Sequence, residues 1–163
     1  MRIFTVILGA TLAIAAAGCG ATTRAGYPTT AQSPVYPTLS SAVASFVSRD
    51  HGKDKDSGLT VQLLRNNAEL VGDIHANGIK FDDHSSSGPF ALSLTGGPFS
   101  TRDISDGQVR VRLTPDGRDD WTFDLHLMMR FSDGRVQNFM WRGVRLDNTN
   151  PERVLSLEPA RTS

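Results

Sequence analysis

Apolar and polar residues alternate along most of the chain after residue 40. The clearest stretch runs from residue 121 to residue 131, where the apolar positions are Trp121, Phe123, Leu125, Leu127, Met129 and Phe131. Successive side chains of a strand point to opposite faces, whereas a helix would place Trp121 and Phe123 nearly opposite each other. The alternation therefore predicts a long strand with one buried face.

Shorter segments elsewhere have the same period-two pattern. They cover residues 41–48, 59–63, 69–75, 90–94, 109–113, 137–146 and 154–157. Segment 41–48 fits either a first strand or one short helix, and the strand is favoured. Gly143 interrupts the alternation of the segment 137–146 and marks a candidate β-bulge before Val144 and Leu146.

Turn residues separate these segments. Arg65-Asn-Asn-Ala68 and Ser132-Asp-Gly-Arg135 can reverse a hairpin, and Thr114-Pro-Asp-Gly-Arg118 is a further turn. Many short strands with frequent turns predict an all-β fold, an antiparallel β-sandwich of six to eight strands. We expect this domain to occupy residues 41–163.

The N-terminus has the organisation of a secretory signal. Arg2 precedes an apolar run from Ile3 to Ala17, which is shorter than the roughly 20 residues that a membrane-spanning helix needs. Small residues follow, ending at Cys19, the single cysteine of the 163-residue chain. We predict that residues 1–18 are a signal peptide. The alternative is a buried N-terminal helix that carries an incidental cysteine.

The sequence Ala16-Ala17-Gly18-Cys19 resembles the lipobox of bacterial lipoproteins, with Ala16 in place of the commoner Leu. The resemblance implies that Cys19 becomes the lipidated, palmitate-carrying N-terminus, so the membrane is a partner through this lipid. It also implies a lipid-anchored protein of the bacterial cell envelope. Gly20 replaces the Asp that often retains such proteins at the inner membrane, which favours the periplasmic side of the outer membrane.

Residues 19–40 are rich in Thr, Ser, Ala and Pro and show no sustained period. Such a composition buries too little apolar surface to offset the entropy of ordering, so we predict a flexible tether. The whole chain carries 17 basic and 17 acidic residues. Removal of the signal takes away one charged residue, Arg2. The sequence has no basic patch of the kind that would indicate a nucleic-acid partner.

Two acidic loops raise the possibility of a metal site. Asp54 and Asp56 lie in the segment HGKDKDSG, and Asp119 and Asp120 directly precede the longest strand. Calcium binds six to eight oxygen ligands, often from loops, so these four carboxylates are candidate calcium ligands. The alternative is that they form turns and surface charge, with Lys53, Lys55 and Arg118 as their counterions.

The segments HGKDKDSG and GRDDWTFDLHL resemble the PLAT, or lipoxygenase-homology, β-sandwich. The positions that match its pattern are Asp54, Asp56, Asp120, Trp121 and Phe123. The resemblance implies an eight-stranded sandwich that is sometimes calcium-bound and that serves membrane or protein contact.

The sequence favours a binding module over an enzyme. No Gly-x-Ser-x-Gly occurs, and the four histidines are scattered. Two functions are expected: a non-catalytic binding module whose loops contact a metal, a glycan or a lipid, with calcium as the candidate metal, or a structural lipoprotein that docks to an envelope protein or polymer without metal. For the second, outward arginines could line one basic face; these are Arg110, Arg112, Arg142 and Arg145.

Overall fold

The structure is a computed structural model that describes residues 35–157. Within this range the chain forms nine strands and one short helix. In chain order they are β1 Leu39–Ser48, β2 Gly58–Leu64, β3 Leu70–His75, β4 Ser86–Ala91, β5 Ser93–Leu94, α1 Thr101–Ile104, β6 Gln108–Thr114, β7 Asp120–Phe131, β8 Val136–Asp147 and β9 Glu152–Ser156.

The strands form two antiparallel sheets. One has four strands in the order β4-β1-β7-β8, and the other has five in the order β5-β3-β2-β6-β9. The central strands β2, β6 and β7 alternate buried residues with more accessible ones, so the buried faces of the two sheets pack on each other. The predicted all-β sandwich is confirmed, with nine strands instead of six to eight.

The core is aromatic near the ends of β1 and β7. Trp121 and Phe123 are fully buried and stack with ring centroids 4.0 Å apart. Phe46 on β1 and Phe81 from the β3–β4 connection pack against them at 5.4 Å and 4.9 Å from the Trp121 ring. The indole N–H of Trp121 donates to Ser48 Oγ at 3.0 Å, which satisfies the polar atom of this buried ring.

The segment predicted as one strand over residues 90–94 belongs to two sheets. β4 pairs with β1, whereas β5 pairs with β3 on the opposite sheet. Leu92 lies buried at the crossing, and its N–H donates to Ala42 O at 2.9 Å. Because both sheets bury apolar residues, the pattern alone did not reveal that the chain changes sheets here.

The predicted hairpin turns form. In the first turn the left-handed residue is Ala68 and not one of the two asparagines. Across the first turn, Arg65 N donates to Glu69 O at 2.9 Å, and Ala68 has a φ of 63°. Asn67 acts through its side chain, which accepts from Glu69 N at 3.2 Å. In the second turn Gly134 has a φ of 84°, which glycine adopts without steric cost.

The bulge predicted at Gly143 is also confirmed. Phe123 pairs with Val144, and Leu125 pairs with Trp141, so β8 has one extra residue opposite Asp124. Gly143 has a φ of 62°. The extra residue changes which positions of β8 face the core, from odd numbers before it to even numbers after it.

Cys19, the predicted signal peptide and residues 19–34 of the predicted tether lie outside the described residues. Near the predicted boundary at residue 40, Thr101 N donates to Pro37 O and β1 begins at Leu39. No helix in the range 35–157 is long and apolar enough to cross a membrane.

Candidate functional site

The two acidic loops meet at one end of the sandwich. One is the β1–β2 loop, residues 49–57, and the other is the β6–β7 loop, residues 115–119. Ser57 Oγ donates to Asp119 Oδ2 at 2.5 Å, and Asp116 N donates to the same carboxylate oxygen at 3.1 Å. The strand that carries Trp121 therefore begins against the loop that follows β1, as the calcium prediction required.

A lysine occupies the centre of this end. Lys53 is fully buried, and its ammonium donates to the carbonyls of Asp54 and Ile79 at 2.7 Å and 2.8 Å. The ammonium also lies 5.5 Å from the centre of the Phe81 ring, within the range of a cation–π contact. Burial lowers the pKa of Lys53, and the carboxylates of Asp119, Asp54 and Asp56 oppose that shift.

Asp119 and Asp120 do not point to the same place. Asp119 is nearly buried and turns towards Ser57. Asp120 is bound from the opposite face of β7 by Arg145, with two contacts of 2.8 Å and 2.7 Å. Neighbouring residues of an extended chain project to opposite sides, so these two carboxylates face different sides of β7.

Asp54 and Asp56 have exposed side chains above Lys53. In the part of the chain that the structure describes, no group of three or more His, Cys, Asp or Glu side chains could hold a metal ion. The two loops meet, and the cation that the structure places beside their carboxylates is the Lys53 ammonium. Calcium binding by the four predicted aspartates stays a prediction.

The four predicted binding arginines do not share a face. Arg110 and Arg112 lie on β6, and Arg142 and Arg145 lie on β8, which belong to different sheets. All four project outward, and the outer faces of a sandwich point in opposite directions. The expectation of one basic face is therefore wrong, because the pattern fixed the outward direction but not the sheet.

Two of these arginines are already paired. Arg110 lies 3.5 Å from Glu152 and 3.5 Å from Gln62 Oε1, and Arg145 holds Asp120. Arg112 and Arg142 are exposed. Whether any of the four arginines binds a partner stays a prediction.

The outer face of the five-stranded sheet is a polar network that the sequence did not suggest. His75 Nδ1 lies 3.1 Å from Thr60 Oγ1, and its Nε2 lies 3.0 Å from Asp73 Oδ2. Thr60 and His75 line an open groove of about 540 Å³, together with Asn77 and Asp116. The register set by the β2–β3 hairpin brings them together, because Thr60 is the cross-strand partner of His75.

A hydroxyl, an imidazole and a carboxylate in this order can pass a proton, but the imidazole here is 60% exposed. Solvent competes for both of its hydrogen bonds, so the contacts bind the strands across the face more than they activate Thr60.

The outer face of the four-stranded sheet has a different character. At the end near the acidic loops, Arg49 binds Asp124 with two contacts of 2.7 Å and 2.9 Å. This hydrogen bond from Arg49 lowers the pKa of Asp124, whose Oδ1 also accepts from Gly143 N at 2.8 Å. Towards the β7–β8 turn the face becomes apolar, with Met128, Val136 and Met140 exposed.

No model of a known protein family matches this chain, and no curated protein matches it either. The resemblances to the lipobox and to the PLAT sandwich therefore stay predictions from the sequence.

Proposed function

We propose that this protein is a lipid-anchored envelope lipoprotein whose β-sandwich is a non-catalytic docking domain for an envelope protein, and that its docking does not depend on a metal. This is the second of the two functions that the sequence suggested. The first, calcium-dependent binding, required four carboxylates at one point.

The observation that carries the proposal is the position of Lys53. Its ammonium lies under the loop that would have supplied calcium ligands, and three of the acids there act on it. A buried cation offsets the repulsion between neighbouring carboxylates without any bound ion. Arg145 does the same for Asp120 on the other side of β7. Asp119 and Asp120 therefore have partners within the protein, Ser57 and Arg145.

Anchoring is tested first. Replacing Cys19 with Ala removes the nucleophile that the lipobox resemblance assigns to lipid attachment, because a thiol forms the thioether. We expect the mature chain to move from the membrane fraction to the soluble fraction, or to retain residues 1–18 unprocessed. Thr22→Ala, just beyond the motif, should stay in the membrane fraction. A mature wild-type chain whose intact mass lacks lipid would contradict the proposal.

Metal independence is tested on the purified lipoprotein. Thermal unfolding in millimolar calcium and in chelator should give equal midpoints, because a ligand that binds only the folded state would raise the midpoint. Asp56→Asn should also leave both midpoints equal to each other. A midpoint that rises with calcium in the wild type, but not in Asp56→Asn, would restore the calcium-dependent function.

Docking itself is tested in intact cells by chemical crosslinking, with and without chelator. We expect the same envelope protein in both samples, and its loss when Cys19→Ala releases the chain from the membrane. A crosslinked species that disappears in chelator would contradict metal-independent docking.

A further inference from the structure

The four sheet edges differ in how they are protected against pairing with another strand. β4 contains Gly88 and Pro89, and a proline has no N–H to donate to a new neighbour. β5 has only two residues, and β9 carries the charges of Glu152 and Arg153 in a strand of five residues. These three edges have the features by which proteins prevent strand addition.

β8 is the exception in its first half. Residues Val136–Trp141, here called the open segment, read VQNFMW and contain no charge, no glycine and no proline. Val136 and Met140 are 40% and 48% exposed on its outer side, whereas Phe139 and Trp141 on its inner side are only partly buried. Among residues 35–157, β8 pairs with β7 alone.

The open segment has backbone N–H and C=O groups that point away from β7, towards the edge where a further strand could pair. Phe131 N donates to Arg135 O across the turn, at 2.9 Å. Hydrogen-bonded and non-hydrogen-bonded pairs alternate along an antiparallel ladder, so the odd-numbered residues after Arg135 bond to β7. The N–H and C=O groups of Val136, Asn138 and Met140 then point to the free edge.

We infer that the open segment is a self-association site, where β8 of a second copy of this chain adds in antiparallel orientation about a two-fold axis at Asn138. The two four-stranded sheets then form one continuous sheet. An antiparallel strand directly opposite places side chains on the same side, so the pairing register must join outward residues with outward residues.

The sequence of the open segment is self-complementary in this register. Val136 lies opposite Met140 of the second copy, Met140 lies opposite Val136, and the Asn138 side chains meet at the axis. Val136 and Met140 of both copies then lose water-exposed apolar surface. Removing apolar surface from water is favourable. The amides of Asn138 can bond to each other across the axis. An isologous contact of this kind is closed, so it ends at a dimer.

Arg142 meets a turn of the second copy that carries both an acid and a base. Beyond the open segment, Arg142 is exposed, and antiparallel pairing brings it beside the β7–β8 turn of the second copy. That turn carries Asp133, whose carboxylate is partly exposed while it binds Arg135 at 2.5 Å. A partner with an unrelated extended segment would have no reason to match both the apolar positions and this pair.

The test uses the full chain in the cell envelope, where Cys19 is the single native cysteine. In Asn138→Cys the two new thiols meet at the axis, with α-carbons about 5.5 Å apart in an antiparallel pair, which is within disulfide range. After mild oxidation we expect most of this variant as a disulfide-linked dimer. Met128→Cys is the matched control, because Met128 is the exposed β7 neighbour of Asn138 on the same face. It should stay monomeric, as should the wild type, when the samples are denatured without reductant.

A second measurement does not depend on thiols. The native mass of the purified lipoprotein should be that of a dimer for the wild type and for Met128→Lys. It should fall to half for Asn138→Lys, which places two like charges opposite each other at the axis. Three results would overturn the inference. They are a wild type with the native mass of a monomer, a disulfide that joins the Asn138→Cys variant to a different protein, and an Asn138→Lys variant that remains dimeric.

Discussion

The two ends of the four-stranded sheet differ in how deeply their apolar side chains are buried and in whether their charged side chains are paired. At the loop end, around Trp121 and Phe123, the aromatic rings are fully buried and the outward charges are paired. At the hairpin end, around the β7–β8 turn, Phe139 and Trp141 are only partly buried and Met140 is largely exposed. One pair of strands, β7 and β8, runs through both ends, and the bulge at Gly143 lies between them.

The difference indicates where stability and association are located. Apolar area removed from water stabilises the folded state roughly in proportion to that area. The loop end has already buried its rings, so a change there costs folding energy. The hairpin end retains apolar area in solvent, and a partner can cover it.

The largest effect is expected from the core of the loop end. Phe123→Ala leaves a cavity against Trp121 and should lower the free energy of unfolding by about 3–5 kcal/mol. Phe139→Ala, the matched variant at the hairpin end, should cost only about 1–2 kcal/mol because less area is lost from the core. Urea unfolding measures both. Equal losses would contradict the contrast between the ends.

The next effect concerns the buried cation. Lys53→Met keeps the apolar stem but leaves two carbonyls without their donor, at about 1–3 kcal/mol for each unmet buried acceptor. We expect a loss of about 2–3 kcal/mol in chemical unfolding. Lys55→Met, two residues away and exposed, should change stability by less than about 0.5 kcal/mol. A Lys53→Met variant as stable as Lys55→Met would show that the loop acids do not need an internal counterion.

The smallest effect concerns the surface pairs at the loop end. The Arg49 hydrogen bond holds the pKa of Asp124 below its ordinary value, so this carboxylate adds stability above about pH 4 and loses it as the pH falls through the lower folded-state pKa. Asp124→Asn should cost about 1 kcal/mol at pH 7, and the difference from wild type should shrink in acid. Asp106→Asn, at an exposed position without such a pair, is the control. A difference that is the same at pH 3 and pH 7 would contradict this.

The strands could be read from the sequence because one face of each is buried. The period-two pattern fixed which side of β7 faces the core, and the extra residue at Gly143 appeared as a break in that pattern. What the pattern lacks is the sheet to which each strand belongs. That is why the arginines of β6 and β8 were expected on one face, and why residues 90–94 were expected as one strand.

The candidate site was also predictable only in part, because the sequence pattern does not show which distant residues meet. Ser57 and Asp119 are 62 positions apart, and only the order of strands in the sheets brings them together. The burial of Lys53 was hidden for another reason. The three residues that follow it are polar and exposed. The position turns inward because it bridges to Phe81, whose backbone it pairs with at 2.9 Å in both directions. Short-range sequence patterns do not record such long-range pairing.

β1 has a mechanical consequence for a chain held from its N-terminal side. The strand is bonded along both edges, to β4 on one side and to β7 on the other. A pull on Leu39 along the strand axis loads these hydrogen bonds in shear, so many must break together. A pull at the end of an edge strand would instead open its bonds one after another. A pull from the N-terminal side of the domain therefore acts first on a strand that is paired along both edges.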